Sequence, residues 1–96
     1  MSLSQSDKAL RLRELHAGPR AFVIANAFDA GSAALLTQLG FAALATSSGA
    51  AAGVLGRKDG QLSRDEALAH AQAIPAATDL PVSADLEDGF GDSPAD

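Results

Sequence analysis

Ninety-six residues allow at most one small domain, and of the 45 apolar residues 22 are Ala, which leaves only 23 larger apolar side chains for a core. The absence of Cys excludes disulfides and thiolate metal sites, and fits a reducing compartment or a chain that is part of something larger. The formal charge of −5 argues against a nucleic-acid partner, and no apolar run of about 18 residues or signal-like N-terminus points to a membrane or to export, so a soluble cytoplasmic protein is expected.

The chain opens with a helical pattern from Ser6, a candidate cap, through Leu10, Leu12 and Leu15. His16-Ala17-Gly18-Pro19 closes it, with Gly18 suited to a left-handed cap and Pro19 unable to continue the helix. Ala21-Phe22-Val23-Ile24-Ala25 is a short continuous apolar run, as in a strand buried on both faces of a parallel sheet. A second helix is expected over residues 30–39, capped by Asp29 and ended by Gly40. The cycle repeats with Phe41-Ala42-Ala43-Leu44-Ala45 as a strand and Thr46-Ser47-Ser48-Gly49 as a small polar loop. More than ten residues without regular structure follow, of the length that usually marks a functional loop.

Ser63-Arg64-Asp65-Glu66 has capping-box spacing, and its helix is expected to turn Leu68, Ala71 and Ile74 towards the sheet, with Pro75 kinking or ending it. Leu80-Pro81-Val82-Ser83-Ala84 reads as a third strand, with Pro at its start where a missing N–H is tolerated. An N-terminal helix followed by β-α-β-α-β indicates an α/β fold with parallel strands and helical crossovers.

A polar cluster follows each strand: Asn26-Ala27-Phe28-Asp29, Thr46-Ser47-Ser48-Gly49 and Asp85-Leu86-Glu87-Asp88-Gly89. In parallel α/β folds ligands bind at the C-terminal strand edge, so the three clusters are expected to converge on one site. All of the charge excess lies in the last of them and its continuation. Residues 85–96 carry five acids and no Lys or Arg, while residues 1–84 are balanced.

If the strand geometry persists, Asp85 and Glu87 project to one side, where two carboxylates repel unless a cation or proton is shared between them. Hard oxygen ligands without His or Cys suit Mg²⁺ or Mn²⁺ rather than zinc. A solvated acidic turn accounts for the same residues. Thr46, Ser47, Ser48 and Gly49 offer hydroxyls and closely spaced N–H groups able to hold a carboxylate or phosphonate, although a Ser-rich turn has the same composition. Asp59, on the long loop, is a further carboxylate within reach of a metal.

Other motifs fail on inspection. An EF-hand read from Asp85 would place Phe90 where its Gly belongs and Asp96 where its Glu belongs. In Gly89-Phe90-Gly91-Asp92-Ser93-Pro94 a proline replaces the third glycine of a dinucleotide fingerprint, and no P-loop occurs. His16 and His70 fall on expected helices away from the strand ends, so neither is assigned a catalytic role.

Asn26-Ala27-Phe28-Asp29-Ala30-Gly31-Ser32-Ala33, Thr46-Ser47-Ser48-Gly49 with Gly53-Val54-Leu55-Gly56-Arg57-Lys58-Asp59, and Val82-Ser83-Ala84-Asp85-Leu86-Glu87-Asp88-Gly89-Phe90-Gly91 occur in one order at one spacing. In these segments the chain resembles the N-terminal part of the isocitrate lyase/phosphoenolpyruvate mutase superfamily, notably its phosphonomutase and 2-methylisocitrate lyase-like members. The resemblance implies that residues 1–96 supply an N-terminal helix and the first three β/α units of a single (β/α)₈-barrel domain, incomplete in this chain. It implies Mg²⁺ (or Mn²⁺) bound through Asp85, with Glu87 acting through metal-bound water. Asp59 matches a catalytic loop aspartate, and Ser47, Ser48 and Gly49 match the segment that holds the substrate carboxylate. Asp88 departs from the pattern, standing where many relatives have a small residue.

The implied chemistry is C–C or P–C bond cleavage of small α-keto or α-hydroxy acids through an enolate-like intermediate, by a lyase or an isomerase of the mutase type. By the same resemblance the family's lid and acid/base residues have no counterpart in this chain, which is expected to be inactive alone and to form a homo-oligomer. Two other readings stand beside it: a noncatalytic α/β fragment that oligomerises through its sheet edge and helix faces, and a small acidic cation-binding module. The latter leaves Thr46-Ser47-Ser48-Gly49 unexplained.

Overall fold

The computed structural model describes residues 3–96 and contains three short parallel strands and four helices. In chain order these are α1 (Gln5–Ala17), β1 (Ile24–Asn26), α2 (Ala30–Gln38), β2 (Ala43–Ala45), α3 (Ser48–Val54), α4 (Arg64–Ala76) and β3 (Val82–Ser83). The sheet order is β1-β2-β3 and both pairings are parallel, so each strand lies beside its neighbour in sequence. The α/β alternation read from the sequence is therefore present.

Register decides where the loops emerge. Ala25 pairs with Leu44 and Leu44 with Val82, while Asn26 pairs with Ala45 and Ala45 with Ser83. The three strands consequently end level with one another. Bonds continue one residue further, with Ala27 N–H donating to the Ala45 carbonyl at 2.9 Å and Thr46 N–H to the Ser83 carbonyl at 2.8 Å. The segments after the strands are thereby delivered side by side to one edge.

The strands are shorter than the apolar runs. Val23 is 67% exposed and Ala21 is also exposed, so β1 starts at Ile24 rather than at the beginning of the run. Residues 41–42 precede β2, and β3 keeps only Val82 and Ser83 of the run expected over 80–84. Continuous hydrophobicity marks where a strand lies, whereas hydrogen-bonded partners determine its length.

Helix ends follow local side-chain chemistry. Ser4, rather than Ser6, caps α1, accepting from Asp7 N–H at 3.1 Å while the Asp7 carboxylate accepts from Ser4 N–H at 3.3 Å. Gly18 has φ −69° and an extended conformation instead of the expected left-handed one, because Pro19 restricts the residue before it to extended backbone. Asp29 caps α2 through Ser32 N–H at 2.7 Å, and Gly40, at φ +94°, supplies the left-handed turn after it. Ser63 and Glu66 form the expected reciprocal box at the start of α4. Pro75 lies inside the last turn of α4, which ends one residue later.

Two small apolar clusters hold these elements together. Ala27, Ala33, Leu44 and Ile74 form one, joined by Ala25, Leu36, Phe41, Ala77, Leu80 and Val82. Ala51, Ala52, Leu62 and Ala67 form the other, with Phe90 packed against them. Leu44 and Ile74 are the largest fully buried side chains, in keeping with the alanine-rich composition. Leu68, expected to face the sheet, is 49% exposed instead, because α4 turns Ala67 and Ile74 inward.

α1 buries none of its residues completely, yet it is fastened to the far end of α4. Lys8 Nζ donates to the carbonyls of Thr78 at 2.7 Å and Pro75 at 3.2 Å. A cation at a helix C-terminus satisfies free carbonyls and complements the helix dipole.

Candidate functional site

The edge where the three strands end gathers most of the expected site residues around Ser48. Thr46-Ser47-Ser48-Gly49 is not a loop as expected: Ser47 is the cap of α3, its Oγ accepting from Ala50 N–H at 3.2 Å, and Ser48 and Gly49 form the first turn. The small residues that made the segment read as a turn also suit a helix start, since Ser is a strong N-cap. The long structureless loop is correspondingly reduced to the stretch between α3 and α4.

Ser48 uses both of its donors on carboxylates. Its backbone N–H donates to Asp85 Oδ2 at 3.1 Å, and its hydroxyl donates to Asp59 Oδ1 at 3.2 Å. Two acids separated widely in sequence thus meet at one residue. A Cβ on Gly49 would lie 3.5 Å from Asp59 Cγ, so the carboxylate of Asp59 also abuts the next residue of α3.

Thr46 supports this arrangement from below. It is 5% exposed, and its Oγ1 accepts from Asp85 N–H at 2.8 Å, which fixes the backbone from which the Asp85 carboxylate projects. Asp85 Oδ1 in turn accepts from Glu87 N–H at 3.0 Å. The Glu87 and Ser48 N–H groups, with a smaller contribution from the Ser48 hydroxyl, hold the Asp85 carboxyl below the ordinary aspartate range, against a minor opposing effect of desolvation.

The strand geometry does not persist to Glu87. β3 ends at Ser83, and Glu87 adopts φ +55° in a turn closed by Gly89 N–H to the Leu86 carbonyl at 2.9 Å. Alternation along an extended chain is therefore not what relates Asp85 to Glu87. Their link is the Asp85 side chain bonded to the Glu87 backbone. Among the described residues, no three His, Cys, Asp or Glu side chains come together as a set of metal ligands.

Gly89 at φ +88° and Phe90 at φ +62° continue the left-handed turn, and Asp88 Oδ1 accepts from Phe90 N–H at 3.0 Å. Left-handed backbone costs a non-glycine residue roughly 1–2 kcal/mol, so Glu87 and Phe90 hold it only through surrounding contacts.

The Asp59 loop is held from outside. Arg57 forms an ion pair with Glu66 of α4, and its N–H donates to the Ala52 carbonyl at 2.9 Å. Ser63 N–H, followed by Arg57, keeps the Glu66 carboxyl below the ordinary glutamate range. Gly56 at φ +72° and Gly60 at φ +87° allow the chain to turn on either side of Asp59.

Two contributors to this edge carried no clear sequence signal. His70 lies on α4, yet its Nε2 lies 2.9 Å from the carbonyl of Phe28 in the β1–α2 loop. Phe90, which follows Gly89, packs on Ala51, Ala52, Leu62 and Ala67. Helix register and cross-element packing, rather than local spacing, bring these two side chains into place.

Comparison with known proteins gives a consistent result. The family model described as phosphoenolpyruvate phosphomutase matches residues 12–96. The chain is 39% identical over 87 residues to 2,3-dimethylmalate lyase of Eubacterium barkeri, an alignment covering 88% of this chain and 30% of that protein. A crystal structure of a candidate lyase/mutase from Burkholderia cenocepacia J2315 superposes with TM-score 0.91 at 49% identity, covering 95% of this chain and 33% of the other. A 2,3-dimethylmalate lyase structure, itself a PEP mutase/isocitrate lyase superfamily member, superposes with TM-score 0.76 at 31% identity over 88% of this chain and 31% of the other. The chain thus spans about a third of the length of these relatives. With the level strand ends, the Ser48-centred acids and the match over residues 12–96, the chain belongs to the phosphoenolpyruvate phosphomutase family of the PEP mutase/isocitrate lyase superfamily.

Proposed function

We propose that this chain carries the cation- and carboxylate-binding part of a lyase or mutase acting on small α-keto or α-hydroxy carboxylic acids. The observation that carries the reading is the pair of hydrogen bonds that Ser48 donates, one to Asp85 and one to Asp59, which brings two acids to the sheet edge. The donor set there is oxygen alone, which fits Mg²⁺ or Mn²⁺, and Mg²⁺ commonly binds one or two carboxylates while keeping several waters. Asp85 and Glu87 would hold the ion and Asp59 would act beside it. When bound, the ion would supply positive charge where an enolate-type oxyanion develops during C–C or P–C cleavage.

The protein residues have distinct tasks in this reading. Thr46 fixes the Asp85 backbone, and the Glu87 and Ser48 N–H groups orient the Asp85 carboxylate and favour its ionised form. Ser47, Ser48 and Gly49, at the start of α3, would receive the substrate carboxylate. Asp59, held through Ser48 and on a loop that Arg57 ties to Glu66 of α4, would direct a water or proton at the reacting carbon.

In the same reading, residues 1–96 form the first three β/α units of a (β/α)₈-barrel domain and are inactive on their own. Among the described residues both outer strands of the sheet have an open edge, and Leu10, Leu35, Leu39 and Leu68 are exposed, which supports a homo-oligomer or further covering chain. Sedimentation of the 96-residue chain tests the oligomer, and a monodisperse monomer contradicts it.

Calorimetric titration of Mn²⁺ into the chain, with and without oxalate, tests the site. Saturable binding that strengthens with oxalate and is lost in Asp85→Ala is expected. Absence of binding, or binding indifferent to Asp85→Ala, rejects a cation site at this edge.

A further inference from the structure

The loop that carries Asp85 and Glu87 contains three left-handed residues within four positions, two of them not glycine. Its internal hydrogen bonds are Glu87 N–H to Asp85 Oδ1, Phe90 N–H to Asp88 Oδ1 and Gly89 N–H to the Leu86 carbonyl. Such bonds define the turn but do not attach it to the remainder of the molecule. At its start, Asp85 is tied to Thr46 Oγ1 and to the Ser48 N–H, and the far half of the turn is seated by Phe90, whose half-buried side chain packs on the cluster of Ala51 and Ala52 from α3, Leu62, and Ala67 from α4. α3 is also the helix whose first residue, Ser48, bonds Asp85 and Asp59.

We infer that Phe90 is a positioning residue: its side chain, seated on the α3–α4 cluster, fixes the Asp85–Gly91 turn against α3 and keeps Asp85 in register with the Ser48 N–H. The alanines at the contact present a shallow surface that a large aromatic side chain covers and a methyl group does not. A further attachment, Arg64 Nη1 donating to the Asp96 carbonyl at 2.8 Å, holds the chain that follows Gly91, whose last residue Asp96 folds back against Gly91. Only the consequence for cation binding rests on the proposed function; the attachment of the loop stands apart from it.

The test uses the whole 96-residue chain without metal, with amide hydrogen exchange followed by NMR. In Phe90→Ala, exchange at the Ser48 and Glu87 amides is expected to accelerate about tenfold or more, whereas the sheet amides of Ala27 and Leu44 keep their protection. Phe90→Leu, which restores an apolar contact, is expected to return both loop amides towards wild type, and Arg64→Ala to leave them unchanged. Unaltered exchange in Phe90→Ala, equal acceleration at Ala27 and Leu44, or no recovery in Phe90→Leu overturns the inference.

A parallel Mn²⁺ titration reads the consequence for the site, with affinity about tenfold weaker in Phe90→Ala and recovered in Phe90→Leu. Faster loop exchange with unchanged Mn²⁺ affinity overturns the positioning role. If the wild-type chain binds no Mn²⁺, the proposed function fails while the exchange rates still decide the attachment made by Phe90.

Discussion

The N–H of Ser48 donates to Asp85 Oδ2 at 3.1 Å, joining the start of α3 to the segment after β3. The bond depends on the level ends of β2 and β3, because Ala45 pairs with Ser83 and Thr46 and Asp85 then follow from adjacent strands. A shift of register by one residue would separate them.

This bond has a pH consequence. The folded Asp85 carboxyl lies below its ordinary value, so its contribution to stability is present at neutral pH and is lost as pH falls from about 4 through the folded pKa. Urea unfolding of the wild type and of Asp85→Asn should therefore converge in acid and diverge towards neutrality. Parallel curves across that range would show that the bond leaves stability unaffected.

Gly49 separates stability from binding. It is helical, without positive φ, and an added Cβ would make ordinary contact with Asp59 at 3.5 Å. Gly49→Ala is expected to raise stability by up to about 1 kcal/mol through reduced chain entropy, seen as a higher Tm. If this turn receives a carboxylate, the added methyl group should at the same time weaken oxalate-dependent Mn²⁺ binding. Unchanged oxalate dependence would remove Gly49 from the site.

Burial distinguishes two large residues of α4. Ile74 is fully buried and Leu68 is 49% exposed. Ile74→Ala should cost about 2–5 kcal/mol in denaturant unfolding, and Leu68→Ala under about 1 kcal/mol. Similar losses at both positions would mean that Leu68 is covered in solution, as it would be in an oligomer.

At the start of the same helix, Ser63 Oγ accepts from Glu66 N–H at 3.2 Å. Ser63→Ala should destabilise the chain by about 1 kcal/mol, measured by thermal unfolding. Since Glu66 also pairs with Arg57, the substitution should increase hydrogen exchange in the Asp59 loop as well. A loss of stability without that local effect would confine the box to its helix.

Much of the architecture was legible in order and type. Apolar runs separated by helical segments gave the parallel α/β alternation, and Asp29 and Ser63 marked two helix starts, because capping depends on residues three apart. The strands are shorter than the apolar runs because pairing, rather than hydrophobicity, ends a strand, as exposed Val23 shows. Ser4 in place of Ser6, and extended Gly18 before Pro19, were decided by competition between neighbouring local signals.

The sequence by itself determined which acids, hydroxyls and small residues follow each strand, and these motifs carried the family resemblance. Tertiary structure alone decided that Ser48 joins Asp85 to Asp59, that Thr46 holds the Asp85 backbone, that Glu87 leaves the strand direction, and that Phe90 reaches α3 and α4. The reason is one of range. Caps and alternation act over a few residues, whereas these contacts depend on parallel register and helix packing between segments far apart in the chain.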